Sequence, residues 1–144
     1  MTTASQLLDK KGHAVYAISA DAPVFDAIKE MADKGIGALL VMERDDLIGI
    51  MSERDYTRKI ALEGRSSRDT PVRDIMSTEV VHARPQQTVE DCMALMTQRR
   101  IRHLPVADRG TVVGVLSMRD LAQAMIDERE YLINRLETYI TGGR

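Results

Sequence analysis

Two fragments of the chain carry residue types from which a polar site can be built. They are Gly49-Ile50-Met51-Ser52-Glu53-Arg54-Asp55 and Gly114-Val115-Leu116-Ser117-Met118-Arg119-Asp120. Each reads Gly-apolar-apolar-Ser-x-Arg-Asp. A serine three residues before an aspartate can cap a helix, the hydroxyl accepting from a backbone N–H while the acid reaches back. The same arrangement suits a ligand. Ser52 and Ser117 end apolar strands, where ligands of α/β folds gather. The helix that starts there turns N–H groups and a positive dipole end toward an anion such as phosphate. Asp55 and Asp120, one turn into the helix, are short enough to stay at the mouth and accept from both hydroxyls of a ribose. Cations lie close in sequence: Arg54 and Arg58 in the first copy, Arg119 in the second, with Arg102-His103 leading a strand and Lys10-Lys11 near the start. Arginine suits bidentate phosphate contacts. No catalytic set appears beside these. His13, His82 and His103 lack metal-ligand spacing, Cys92 falls on the apolar face of a helix, and no glycine-rich phosphate loop is present. The chemistry read from the residues is binding, not catalysis.

The elements that must hold these residues occur twice. Val24-x-x-Ala27-Ile28-x-x-Met31 matches Val89-x-x-Cys92-Met93-x-x-Met96, Ile36-Gly37-Ala38 matches Ile101-Arg102-His103, and the two motif fragments match one another, all at an offset of 65 residues. A register kept without a gap points to duplication of a whole unit. Each unit reads as a strand (Val15–Ile18; Val80–Ala83), a helix (Val24–Lys34; Val89–Arg99), a hairpin (Ala38–Met42 with Leu47–Met51; His103–Ala107 with Thr111–Leu116) and a second helix after Ser52 or Ser117. Val72–Met76 predicts a short helical turn. The last helix is expected over Met118–Ile140, with Gly142-Gly143-Arg144 ending it. The fold class is therefore α+β, two βαββα repeats plus a long C-terminal helix. The boundaries are 1–62 and 72–144, with a polar linker at 63–71.

Composition narrows the functions. A net charge of −2 and only 3% aromatic residues argue against a nucleic-acid binder. No stretch approaches the roughly 18 apolar residues of a membrane span. A single cysteine and the absence of a leader-like apolar run predict a reduced, cytoplasmic setting. The apolar stripes of the helices flanking the motif strands suggest a homodimer that covers them.

From about residue 12 to 125 the chain resembles a tandem pair of CBS domains, the module named after cystathionine β-synthase. The two motif copies, Arg102-His103-Leu104-Pro105-Val106 and Thr88-Val89-x-x-Cys92-Met93-x-x-Met96 carry the resemblance. It implies a pseudo-twofold disc that commonly pairs into a larger one, with adenine nucleotides bound in clefts between the repeats. AMP or NAD is expected, with ATP or ADP also compatible; the linker residues Arg65 to Arg68 could reach a second phosphate or a nicotinamide ribose. It implies that Asp55 and Asp120 hold ribose, with Ser52 and Ser117 beside them, and that Arg102 and His103 approach phosphate. Lys11, Gly12, His13 and Val15 would face the Asp120 cleft, and Met76, Ser77, Thr78 and Val80 the Asp55 cleft. Ile36, Leu39, Ile101 and Leu104 would cover the base, with Pro105 alongside. Gly37-Ala38 stand where the second repeat has Arg102-His103, so the first cleft lacks that grip unless Arg54 or Arg58 replaces it. The alternative is a ligand-independent adaptor whose long last helix docks an unidentified protein target.

Overall fold

The computed structural model describes residues 1–142; Gly143 and Arg144, part of the expected tail, lie outside the described residues. The chain forms α1 (Ala4–Lys11), β1 (Ala17–Ser19), α2 (Val24–Lys34), β2 (Ala38–Glu43), β3 (Asp46–Ser52), α3 (Glu53–Tyr56), α4 (Val89–Arg99), β4 (His103–Asp108), β5 (Thr111–Ser117) and α5 (Met118–Ile140). A π-helical turn over Thr57–Ala61 continues α3, and a 3₁₀ turn covers Val72–Asp74. These elements gather into two compact units. One is Val15–Val81; the other joins Met1–Ala14 to the chain from His82 onward. The first fourteen residues thus pack with the second repeat, whereas repeat boundaries alone would place them in the first.

In the Val15–Val81 unit β1 runs parallel to β2, which pairs antiparallel with β3. The buried stripe of α2, Val24, Ala27 and Met31, packs with Leu39, Val41, Met51, Ile60, Val72 and Ile75. Pro23 offers α2 no side-chain cap. The linker supplies carbonyls instead: Val24 N–H donates to Thr70 O at 2.8 Å and Phe25 N–H to Ser67 O at 2.9 Å. The Arg68 guanidinium lies 3.9 Å from the Phe25 ring centre, which pins the same segment. The polar linker is a docked helix cap.

The second unit repeats the hairpin, β4 with β5, but not the first strand. The expected strand over Val80–Ala83 contracts to a single parallel bridge, Ala83 to Val106. The cause is Pro105. Its counterpart Leu40 donates its N–H to Tyr16 O at 3.1 Å in the first repeat. Proline has no N–H, so the equivalent ladder bond cannot form. In this unit α4 buries Val89, Cys92 and Met96 and starts from a Thr88/Asp91 capping box. The stripes of α2 and α4 are therefore covered within the chain, which removes the reason given above for a second copy to cover them.

α1 has no counterpart in the sequence reading. Thr3 and Gln6 form its capping box, and Leu7 and Leu8 are its buried side chains. Leu8 lies against Gly114, where a Cβ would stand 2.5 Å from Leu8 Cδ2. Gly49, the equivalent glycine, is approached by Met76 and by backbone: a Cβ there would stand 2.7 Å from Met76 Sδ and 2.9 Å from Ser77 O. Both motif glycines thus serve as gaps that admit another segment. A flexible leucine tip can yield, but the Ser77 carbonyl is held by the Ile50 bridge. Gly49→Ala should accordingly destabilise the protein by about 1–3 kcal/mol, the usual cost of overpacking. A urea midpoint indistinguishable from the parent would show that the close approach does not constrain the fold.

Candidate functional site

Both Ser-x-x-Asp fragments fold as capping boxes at the start of α3 and α5. Ser117 N–H donates to Asp120 Oδ2 at 2.7 Å, and Asp120 N–H donates to Ser117 Oγ at 3.1 Å. In the first copy Ser52 N–H and Oγ donate to Asp55 Oδ2 at 2.9 and 3.2 Å, and Asp55 N–H returns to Ser52 Oγ at 3.2 Å. The first amide of each helix is taken as well. Glu53 N–H donates to Gly37 O at 3.0 Å and Met118 N–H to Arg102 O at 2.8 Å. Two amides of each helix start are therefore satisfied by the protein, so the helix terminus is a smaller anion site than the sequence suggests. The side-chain carboxylate is the group each motif presents.

A lysine ammonium sits on each carboxylate. Lys11 Nζ lies 2.6 Å from Asp120 Oδ2 and donates to Val115 O at 2.6 Å. Gly12, with φ of 116°, ends α1 in a conformation that side chains other than glycine rarely adopt. Next to it His13 Nδ1 donates to Val113 O and Nε2 lies 2.9 Å from Asp9 Oδ1, so both ring nitrogens face acceptors and the imidazole pKa is raised. In the other unit Lys59 Nζ lies 3.4 Å from Asp55 Oδ1 and donates to Ile75 O at 2.9 Å. Burial pushes the Asp120 carboxyl up, but the hydrogen bonds from Lys11 and Ser117 and the Lys11 charge outweigh it and hold Asp120 below the ordinary carboxylate range. A groove of about 740 Å³ opens beside Asp120 and Lys11, between α1 and the first turns of α5, with Gln6, Lys10, Gln123 and Asp127 on its walls.

A family profile for the CBS domain matches residues 11–62 and 72–127. The chain is a tandem CBS-domain protein. It is 39% identical over 151 residues to the CBS domain-containing protein CBSX3, mitochondrial, of Arabidopsis thaliana, covering 99% of this chain and 73% of that one. A solved structure from Burkholderia ambifaria, described as a candidate signal-transduction protein with CBS domains, superposes with a TM-score of 0.84 at 47% identity, over 88% of this chain and 95% of its own. The hexameric CBS-CP12 protein of bloom-forming cyanobacteria superposes at 0.76 with 32% identity, over 85% and 71%. CBS domains generally bind adenosine ligands.

The residues expected at the CBS sites distribute as follows. Ladder register sets His103 opposite Ser117 and Ala38 opposite Ser52, so the residue pairs Arg102-His103 and Gly37-Ala38 flank their own motif. Within the Val15–Val81 unit Met76 packs on Gly49 and Ser77 pairs with Ile50, next to the carbonyl that Lys59 holds. Val15 and Thr78 are exposed; Val80 and Ile36 are half-buried. Arg54, Arg58, Arg102 and Arg119 point to solvent. Two expectations are corrected. Leu39 and Leu104 are core side chains, at most 1% exposed, and offer a base no surface; Pro105 is buried beside Leu104. Arg65 and Arg68 are engaged, Arg65 with Asp74 at 3.4 Å and Arg68 on Phe25, and so are not spare phosphate ligands. Lys59 went unnoticed although it stands four residues after Asp55, the spacing of an intrahelical ion pair. Cys92 is buried and its thiol is pushed up to about 11, chiefly by desolvation, so it is no nucleophile at neutral pH.

The lowered Asp120 value sets a pH dependence. A carboxyl depressed in the folded state adds stability that is fully present above its unfolded value, near pH 4, and is lost as pH falls through the folded value. Asp120→Asn keeps an acceptor for the cap but removes the charge. The variant should be less stable than the parent at pH 7, and the gap should close as pH falls below about 4. Urea midpoints across that range check this; a gap independent of pH would mean that the Lys11 pair does not stabilise the carboxylate.

Proposed function

We propose that this CBS-pair protein is a regulatory sensor of adenine nucleotides, with AMP or NAD as the ligand and ATP or ADP as weaker candidates, and that it carries out no reaction itself. The carrying observation is the pairing of a cap-fixed carboxylate with a lysine ammonium in both units, Asp120 with Lys11 and Asp55 with Lys59. A nucleotide has the complementary order of groups: vicinal hydroxyls that donate, then a phosphate that needs a cation. The carboxylate is held rigidly by the backbone of its own helix, so hydroxyl donors would meet a preorganised acceptor. Lysine, released from the carboxylate by the incoming sugar, would have phosphate as its next partner. The exposed Arg54, Arg58, Arg102 and Arg119 add positive charge for the same anion, and half-buried Ile36 and Ile101 are apolar surface suited to a base. The buried, protonated Cys92 fits a reducing compartment, and the cytoplasm is the proposed setting.

The second site carries Arg102 and His103 beyond the shared groups, so it should dominate binding. Asp120→Ala should weaken AMP binding roughly tenfold to hundredfold, the value of about 1.5–3 kcal/mol in charge-assisted hydrogen bonds, and Asp55→Ala should cost less. Calorimetry on the two variants measures this; unchanged affinity in both would mean that these aspartates only cap helices. GMP should compete poorly with AMP, because a guanine edge leaves buried polar groups mispaired. Equal displacement by GMP would remove the adenine assignment.

A further inference from the structure

With the stripes of α2 and α4 buried, the apolar surface still uncovered gathers on α5. Its first turns are anchored by Leu121 and Ala124, and the helix then continues through Ile140 with no buried residue. Met125, Ile126, Leu132, Ile133, Leu136, Tyr139 and Ile140 are exposed by 39–84%. Their spacing (i, i+1, i+7, i+8, i+11, i+14, i+15) puts all seven on one face, an arc of about 140° at 100° per residue. Asp127, Glu128, Glu130, Asn134, Arg135, Glu137 and Thr138 occupy the remainder, with Tyr131 among them. Most helical stability in proteins comes from packing an amphipathic face, and here four turns of one lie unpacked.

We propose that this face of α5 is a self-association surface, paired antiparallel with the same face of a second copy of this chain. Three observations favour that occupant. The first is area. Seven large side chains, more than half exposed on average, leave roughly 700 Å² per chain, close to the ~800 Å² per partner of a standard interface. The second is charge. Arg129 interrupts the stripe; parallel in-register pairing would stack it on its own copy. Antiparallel pairing about Ile133 sets Arg129 opposite Glu137, Ile126 opposite Ile140, and Ile133 on itself. The arginine inside the stripe then meets an acid, and the two ends and the centre of the stripe meet apolar residues. The third is the sign of the polar face. From Asp127 to Glu137 it holds Asp127, Glu128, Glu130 and Glu137 against Arg135, the opposite of the basic face with which interfacial helices meet anionic membranes.

Light scattering and cysteine cross-linking on the full chain test this. The parent should show at least twice the mass of the Leu136→Glu variant at micromolar concentration. Leu136 is 61% exposed, so the variant should keep the parent's circular dichroism. Under mild oxidation Ile133→Cys should cross-link to itself, and Ile126→Cys should cross-link to Ile140→Cys when the two are mixed but not to itself. The native Cys92, fully buried, does not compete. Three results would overturn the proposal: a parent mass of one chain, 16.1 kDa; an oligomer whose mass Leu136→Glu leaves unchanged; or self-cross-linking of Ile126→Cys, which requires parallel pairing. Sedimentation of a monomeric parent with phosphatidylglycerol vesicles would assign the face to a membrane instead.

Discussion

The carboxylate of the Ser-x-x-Asp capping box is the interaction around which both units are arranged. One oxygen accepts the serine amide, the aspartate amide returns to the serine hydroxyl, and the strand before it therefore passes into the helix at one fixed angle. The bond that ends β3 or β5 also fixes the charge at its mouth. A free side chain at this position would lose rotamer entropy on meeting a ligand; here that loss is already met by folding. The lysine on each carboxylate reflects the same constraint. A partly buried acid needs a counter-charge, and each unit finds one by a different route: Lys59 one turn along the same helical run, Lys11 from the end of α1.

The glycine that opens each motif is the second constraint. Gly49 and Gly114 each lie three residues before their serine and admit a neighbouring segment where a Cβ would collide with it. At Gly114 that segment is α1, which through Leu8, Gly12 and Lys11 leads to Asp120. At Gly49 it is Met76-Ser77, which follows the Ile75 carbonyl that holds Lys59. Packing at the glycine and charge at the aspartate thus belong to one arrangement in each unit. The segment that fills the gap also sets the lysine on the acid.

Much of this was legible in the sequence because it rests on local rules. The bounds of α2, α4 and α5 follow from their 3.6-residue stripes, and the hairpins from apolar runs broken by charged turns. The 65-residue offset carried the repeat, and Lys11 was placed at Asp120 through the family resemblance. What was missed depends on context. α1 is short, and its apolar residues count only because Gly114 leaves room for Leu8; its Thr3/Gln6 box was the one local signal. Pro105 reads as an ordinary strand residue until its missing N–H is set against the bond that Leu40 makes. The linker looked free because its polarity was visible and its role as the cap of α2 was not. The stripes of α2 and α4 could not reveal from sequence whether a second copy or the chain itself covers them.

The central claim is that the two capped carboxylates are where an adenine nucleotide binds. Backbone amide shifts of the ¹⁵N-labelled chain, recorded during an AMP titration, test it most directly. Binding there should move the amides of Ser117, Arg119 and Asp120 first and most, with Lys11 and Gly12 following as the ammonium leaves the carboxylate, and Ser52 and Asp55 at higher concentration. Shifts confined to other residues, or none at millimolar AMP, would contradict the account.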